Sequence, residues 1–227
     1  GLLFHCIDTD IPEETVLAFG RFFLSENFPY KALHAVAGIR EHTLLFEQVM
    51  PEAAHIRLDA ELYDVFKNES EKIRSRDKEA ISLIIKKCAA AKASVVERDF
   101  TEQNIRMYLN YGHTFGHALE SLAGFGSVTH GDAVAWGISR AAALSCNIGL
   151  CSRAYKDEVL SVLERYGWET DAVPSIIKGG AAGARLLSIM HKDKKNTDGG
   201  IRLILQKGLM ETIAQIVSDD AILNVLK

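Results

Sequence analysis

His113 and His117 stand four residues apart in the stretch Leu109-Asn110-Tyr111-Gly112-His113-Thr114-Phe115-Gly116-His117-Ala118-Leu119-Glu120, and a third histidine, His130, follows in Thr129-His130-Gly131-Asp132. On a helix, four residues turn through roughly 400°, so the first two rings leave the same face one turn apart. Three neutral imidazoles brought together by two helices suit zinc or a similar divalent ion. Two histidines at this spacing more often form a surface or hydrogen-bonded pair than a ligand pair. Here they sit among Gly, Phe, Leu and Ala. Arg106 and Asn110 precede them at helical spacing, and an apolar core stripe would not use those types. Gly112 and Gly116 are poor helix formers. One reason to keep them in the block is that something approaches the backbone closely.

The elements that must carry these side chains read as mainly helical. The spacing predicts a helix from about Met107 through Leu122, a Gly-rich turn over Ala123 to Ser127, and a small-residue-rich, buried helix from His130 to Cys146. Earlier, Leu58 to Phe66 reads as a helix. Asp77 to Arg98 reads as a long one, with Ile81, Ile84, Ile85, Cys88, Ala89 and Val95 as its apolar stripe. Ser152 to Tyr166 is amphipathic and closed by Gly167; Ala182 to His191 is helical. Gly179 to Gly183 is a helix-entry loop, since it lacks the Lys-Ser/Thr ending and the preceding strand of a phosphate loop. Asp198-Gly199-Gly200 marks a turn, Ile201 to Leu205 alternates as a strand, and Ser218 to Lys227 closes as a short helix. In the first 58 residues, Leu2 to Ile7 reads as a strand and Val16 to Leu24 and Tyr30 to Met50 as helices. The expected organisation is a mixed α/β segment over 1–58 and a helical domain over 59–227.

Of the 227 residues, 48% are hydrophobic and 25% charged, with 26 Lys plus Arg against 30 Asp plus Glu and a net charge of −4. That balance argues against a general nucleic-acid surface and leaves room for a local basic pocket. No apolar run reaches the length of a membrane span, and no signal segment is evident. Cys6, Cys88, Cys146 and Cys151 contain no Cys-x-x-Cys pair, which points to buried, reduced thiols in a cytosolic protein. The chain starts at Gly1 without a Met, as a fragment or a processed chain would.

The Asn-x-Gly-His-Thr-x-Gly-His-Ala-x-Glu block resembles the signature of 3-dehydroquinate synthase and its sugar-phosphate cyclase relatives. Lys92, Asp99, Glu102, Arg106, His130-Gly131 and Asp193-Lys194-Lys195 extend the resemblance, which runs from about Asp59 to the C-terminus. The central block is long and specific; the flanking matches are individually short. Asn104 stands where the family usually has Gly, and Asp132 where it usually has Glu. The resemblance implies the helical metal- and substrate-binding domain of such an enzyme. It implies a lyase of the shikimate pathway, in aromatic amino acid biosynthesis, that converts 3-deoxy-D-arabino-heptulosonate 7-phosphate to 3-dehydroquinate with phosphate elimination. It also implies zinc or cobalt, transient oxidation by NAD, and a homodimer.

Within that resemblance His113 and His130 are the expected metal ligands and His117 the expected proton donor. All three as ligands is the alternative. Arg106 offers a planar fork of donors for carboxylate or phosphate, and Asn110 can donate to and accept from a hydroxyl. Lys92, on pattern alone a snorkelling surface lysine, is by resemblance a substrate contact. Lys194 and Lys195, on pattern alone a solvated charge run, are by resemblance placed to meet the substrate's anionic groups, Lys195 in a catalytic role. The family's Gly-rich NAD-binding loop and its Ala-Glu-x-x-Lys helix, which supplies a third ligand, have no match here; Glu47 and Glu52 lie nearby without the right neighbours. The expectation is a fragment lacking the NAD domain, which alone turns over no substrate. Another cyclase, a metal-dependent polyol dehydrogenase and a non-catalytic relative are the rival readings.

Overall fold

The computed structural model describes residues 57–84, 87, 105–124, 126–193, 200–209 and 211–227. The elements expected before residue 57, over most of 85–104 and at Asp198-Gly199 lie outside the described residues. The chain divides into two compact units, Gly1–Arg106 and Met107–Lys227.

In the first unit, α1 (Arg57–Asn68) and α2 (Ser70–Arg74) contact each other, and residues 78–84 are helical. Asp77 starts that last stretch: its Oδ1 accepts the Ala80 amide at 2.9 Å, satisfying a donor the helix cannot use itself. Tyr63, Phe66, Ile73, Ile81 and Ile84 are buried, as the apolar spacing requires.

The second unit is built around one helix. After a 3-10 turn over Ile105–Asn110 come α3 (His113–Ala123), α4 (His130–Asn147), α5 (Arg153–Arg165) and α6 (Ala182–Asp193). Strands β1 (Ile201–Gly208) and β2 (Glu211–Val217) and a final α7 (Asp219–Asn224) follow. Helix α4 is buried on nearly every side, with Ala133, Ala135, Ile138, Ala142 and Leu144 fully enclosed; α3, α5, β1 and α7 all pack on it. Its alanines and glycines leave no side chain to hold neighbours away. A Cβ on Gly137 would lie 2.9 Å from both the Gly112 carbonyl carbon and the Gly116 nitrogen, and one on Gly116 would lie 3.0 Å from the Ala133 carbonyl oxygen. What approaches the glycine backbones of the histidine block is therefore helix α4.

That crossing corrects the expected unbroken helix from Met107 to Leu122. Tyr111 closes a 3-10 bond to the Tyr108 carbonyl, Gly112 turns left-handed at φ +82°, and only then does α3 begin. A left-handed residue costs an ordinary side chain about 1–2 kcal/mol, which Gly avoids. Arg106 and Asn110 therefore do not continue the helical row of His113 and His117.

The strands form a two-stranded antiparallel ribbon, Ile201 opposite Val217 through Gln206 opposite Thr212. Strand β1 buries Ile201, Leu203, Ile204 and Leu205; β2, unexpected from the sequence, supplies its partner. Arg140 ties the unit together from inside α4. Its guanidinium donates to the carbonyls of Val225 and Thr170 and to the Ser139 hydroxyl. Burial lowers its pKa to about 10, against the raising influence of Asp171, and it remains a cation at neutral pH. Among the described residues, no helix is long and apolar enough to cross a membrane.

Candidate metal centre

Helix α3 supplies His113 and His117 from its first turn and a half, and α4 supplies His130 from its first residue. The ring centroids lie 5.4 Å apart for His113 and His117, 5.3 Å for His113 and His130, and 5.8 Å for His117 and His130. One nitrogen from each ring falls within 4.8 Å of the others. His113 and His117 are half-buried and His130 is exposed, so the group has a closed side and an open one. Nitrogen donors about 2.1 Å from a tetrahedral ion sit roughly 3.4 Å apart. The nitrogens must therefore draw together by at most about 1.4 Å to share one ion. Imidazole nitrogens are the donors that zinc and cobalt favour, so the residues present fit such an ion.

The approach of the third ring is set by how α4 starts. Thr129 caps the helix: its hydroxyl oxygen accepts the Asp132 amide at 3.2 Å, and its hydroxyl donates to Asp132 Oδ2 at 2.6 Å. The other carboxylate oxygen, Oδ1, accepts the Trp168 indole N–H at 3.1 Å. The shorter Asp132, standing where Glu was expected, is thus fully engaged in fixing the helix start. A negative group in a first helical turn is also favoured by the helix dipole. On the other helix, Glu120 Oε2 lies 3.2 Å from His130 Nδ1.

Asn110 is half-buried at the end of the 3-10 turn, two residues before α3. The Arg106 side chain, Lys92, Lys194 and Lys195 lie outside the described residues. Sequence reasoning assigned no role to Glu120, Thr129, Asp132 or Trp168. Glu120 had a legible signal, because it lies seven residues after His113 and three after His117, on the same helical stripe. The Trp168 contact, 36 residues from Asp132, had none.

Residues 52–196 match the family model described as 3-dehydroquinate synthase C-terminal. The chain belongs to this family. It is 34% identical over 170 residues to the 3-dehydroquinate synthase of Pelobacter propionicus, covering 75% of this chain and 46% of that one. It is 38% identical over 169 residues to the 3-dehydroquinate synthase of Geotalea uraniireducens, covering 74% and 45%. The chain thus spans less than half the length of these curated relatives. Among solved structures, it is similar to 2-deoxy-scyllo-inosose synthase complexed with carbaglucose-6-phosphate, NAD+ and Co2+. The TM-score is 0.69 at 22% identity, over 91% of this chain and 54% of that one. It is also similar to 2-epi-5-epi-valiolone synthase from Streptomyces hygroscopicus with NAD+ and Zn2+ bound, at TM-score 0.67 and 19% identity, over 87% and 51%. At these identities the likeness is one of fold.

Proposed function

We propose that this chain is the metal- and substrate-binding part of a 3-dehydroquinate synthase, a phosphate-eliminating lyase acting on 3-deoxy-D-arabino-heptulosonate 7-phosphate in the shikimate pathway. The carrying observation is the convergence of His113, His117 and His130 in a chain whose family match includes all three. The relatives named 3-dehydroquinate synthase support this substrate over those of other cyclases. Helical metal- and substrate-binding structure over 59–227, with 1–58 as a separate mixed segment, is the domain organisation that goes with this reading. A soluble cytosolic setting is consistent with the free thiols of Cys146 and Cys151; a homodimer is the assembly we infer from the resemblance.

In this reading His113 and His130 hold a zinc or cobalt ion. The ion, when bound, supplies Lewis-acid polarisation of the substrate hydroxyl that NAD oxidises. His117, one turn from His113 on the same helix face, holds or delivers a proton at the substrate's phosphate or hydroxyl oxygen. Its own position among three rings makes ligation the competing role. Asn110 orients a substrate hydroxyl from the turn preceding α3. Arg106, Lys92 and Lys194 bind the carboxylate and phosphate, and Lys195 takes a catalytic role.

Calorimetric titration of the zinc-loaded protein with 3-deoxy-D-arabino-heptulosonate 7-phosphate tests the assignment. Arg106→Ala is expected to weaken binding by about 1.5–3 kcal/mol, the scale of a charge-assisted hydrogen bond, with a small change in melting temperature. Unchanged affinity together with a large drop in melting temperature would make Arg106 structural and remove the substrate reading.

A further inference from the structure

We propose that Glu120 is the positioning residue for His130, holding its Nδ1–H so that Nε2 is presented to the ion; this rests on the metal reading above. A neutral imidazole carries one proton, and the nitrogen that binds a metal must be the bare one. An ionised carboxylate only accepts hydrogen bonds. Glu120 Oε2, 3.2 Å from Nδ1, therefore selects the tautomer protonated on Nδ1 and leaves Nε2 as the donor.

The rest of the geometry leaves this task to Glu120. The backbone at His130 is already fixed by the Thr129 cap and by Asp132, which is itself held by Trp168. What remains free is rotation of the ring. Glu120 reaches it from α3, the helix that carries the other two histidines, so one carboxylate holds the α4 ring against the other ligand-bearing helix at the open side. A stabilising ion pair is a poor alternative account. The side chains are 52% and 31% exposed, and exposed pairs contribute little to folding. Carboxylates that orient a ligating imidazole in this way commonly change metal affinity by about 10–100-fold.

Two measurements on the full chain separate this from the reading beneath it. Long-range proton–nitrogen spectra of the metal-free protein at about pH 8.5, where imidazole is neutral, report the His130 tautomer without any metal. Nδ1–H is expected in the parent, a mixed population in Glu120→Ala, and partial recovery in Glu120→Gln, whose amide oxygen still accepts. Titration with Co2+, followed by its visible absorption, gives the affinity. Glu120→Ala should bind about 10–100-fold more weakly, with its melting temperature unchanged, and His113→Ala should not bind. Equal affinity for Glu120→Ala and the parent, with His113→Ala still losing the ion, overturns the role of Glu120 and leaves the metal centre standing. No Co2+ binding by the parent removes the metal centre and this inference together. Nδ1–H persisting undiminished in Glu120→Ala overturns the tautomer argument whatever the affinities.

Discussion

Replacing Gly137 by Ala should separate α3 from α4. The new Cβ would lie 2.9 Å from the Gly112 carbonyl carbon and 2.9 Å from the Gly116 nitrogen, and closer still to the Gly112 carbonyl oxygen. All three neighbours are backbone, so no side chain can swing aside. Relief requires the helices to move apart by on the order of 1 Å, which loosens packing along the whole crossing. Overpacking of this kind costs about 1–3 kcal/mol or more, while Ala gains about 1 kcal/mol over Gly in helix propensity. Because the clash involves rigid main chain, the upper end applies, and the net loss should be about 2 kcal/mol. For a chain of this size that lowers the melting temperature by roughly 4–8 °C. Urea denaturation followed by circular dichroism measures the loss directly. Gly180→Ala is the control, since a Cβ there meets nothing within 4 Å; its effect should stay under about 0.5 kcal/mol. The same variant should bind Co2+ more weakly than the parent, because Gly112 precedes His113 and His130 rides on α4. A Gly137→Ala protein as stable as the parent would refute the claim that glycine is there for helix contact.

Arg140→Ala should cost about 2–4 kcal/mol, because it strands the buried carbonyl of Val225 and the half-buried one of Thr170. Arg140→Lys should recover only part of this, since one ammonium lacks the planar fork; full stability in the Ala variant, by urea melt, would remove its role as a tie. Burial raises the Cys151 thiol from 9.0 to about 11, with Cys146 adding to the effect. The folded state thus holds that proton more tightly than the unfolded one. The stabilisation is fully present below pH 9.0 and is lost as pH rises towards about 11. Cys151→Ala should flatten the fall in stability over that window, and Cys151 should react slowly with iodoacetamide at neutral pH. A parent protein whose stability is level across the window would contradict the shift. Trp168→Phe removes the donor to Asp132 Oδ1 and should cost about 1–2 kcal/mol. A melt unchanged from the parent would show that Thr129 alone secures the start of α4.

The helices legible in the sequence were those whose signals are local. The small residues of α4 announced a buried helix, and the amphipathic run closed by Gly167 announced α5. The histidines at 113 and 117 were readable as neighbours because helical spacing fixes their relation. His130 was readable as a candidate because it begins the next apolar run. What was not legible depends on tertiary contact. The break at Gly112 lies where α4 presses on the backbone, and glycine alone did not mark it, since Gly116 stays helical. Strand β2 escaped because Ile213, Ala214, Ile216 and Val217 do not alternate, and its identity comes from pairing with β1. The bond from Trp168 to Asp132 joins residues that only folding brings together.

The three histidines are drawn from 18 consecutive residues, His113 to His130, on two helices joined by a short turn. The contact that assembles them is therefore of short sequence range, and it needs little chain to be ordered before it can form. An ion gripping both ends of this hairpin would close a small loop in the unfolded chain. Occupancy would then favour folding from this hairpin outward, with β1, β2 and α7 joining later. The order in which the chain gains structure would in that way respond to the supply of metal during synthesis.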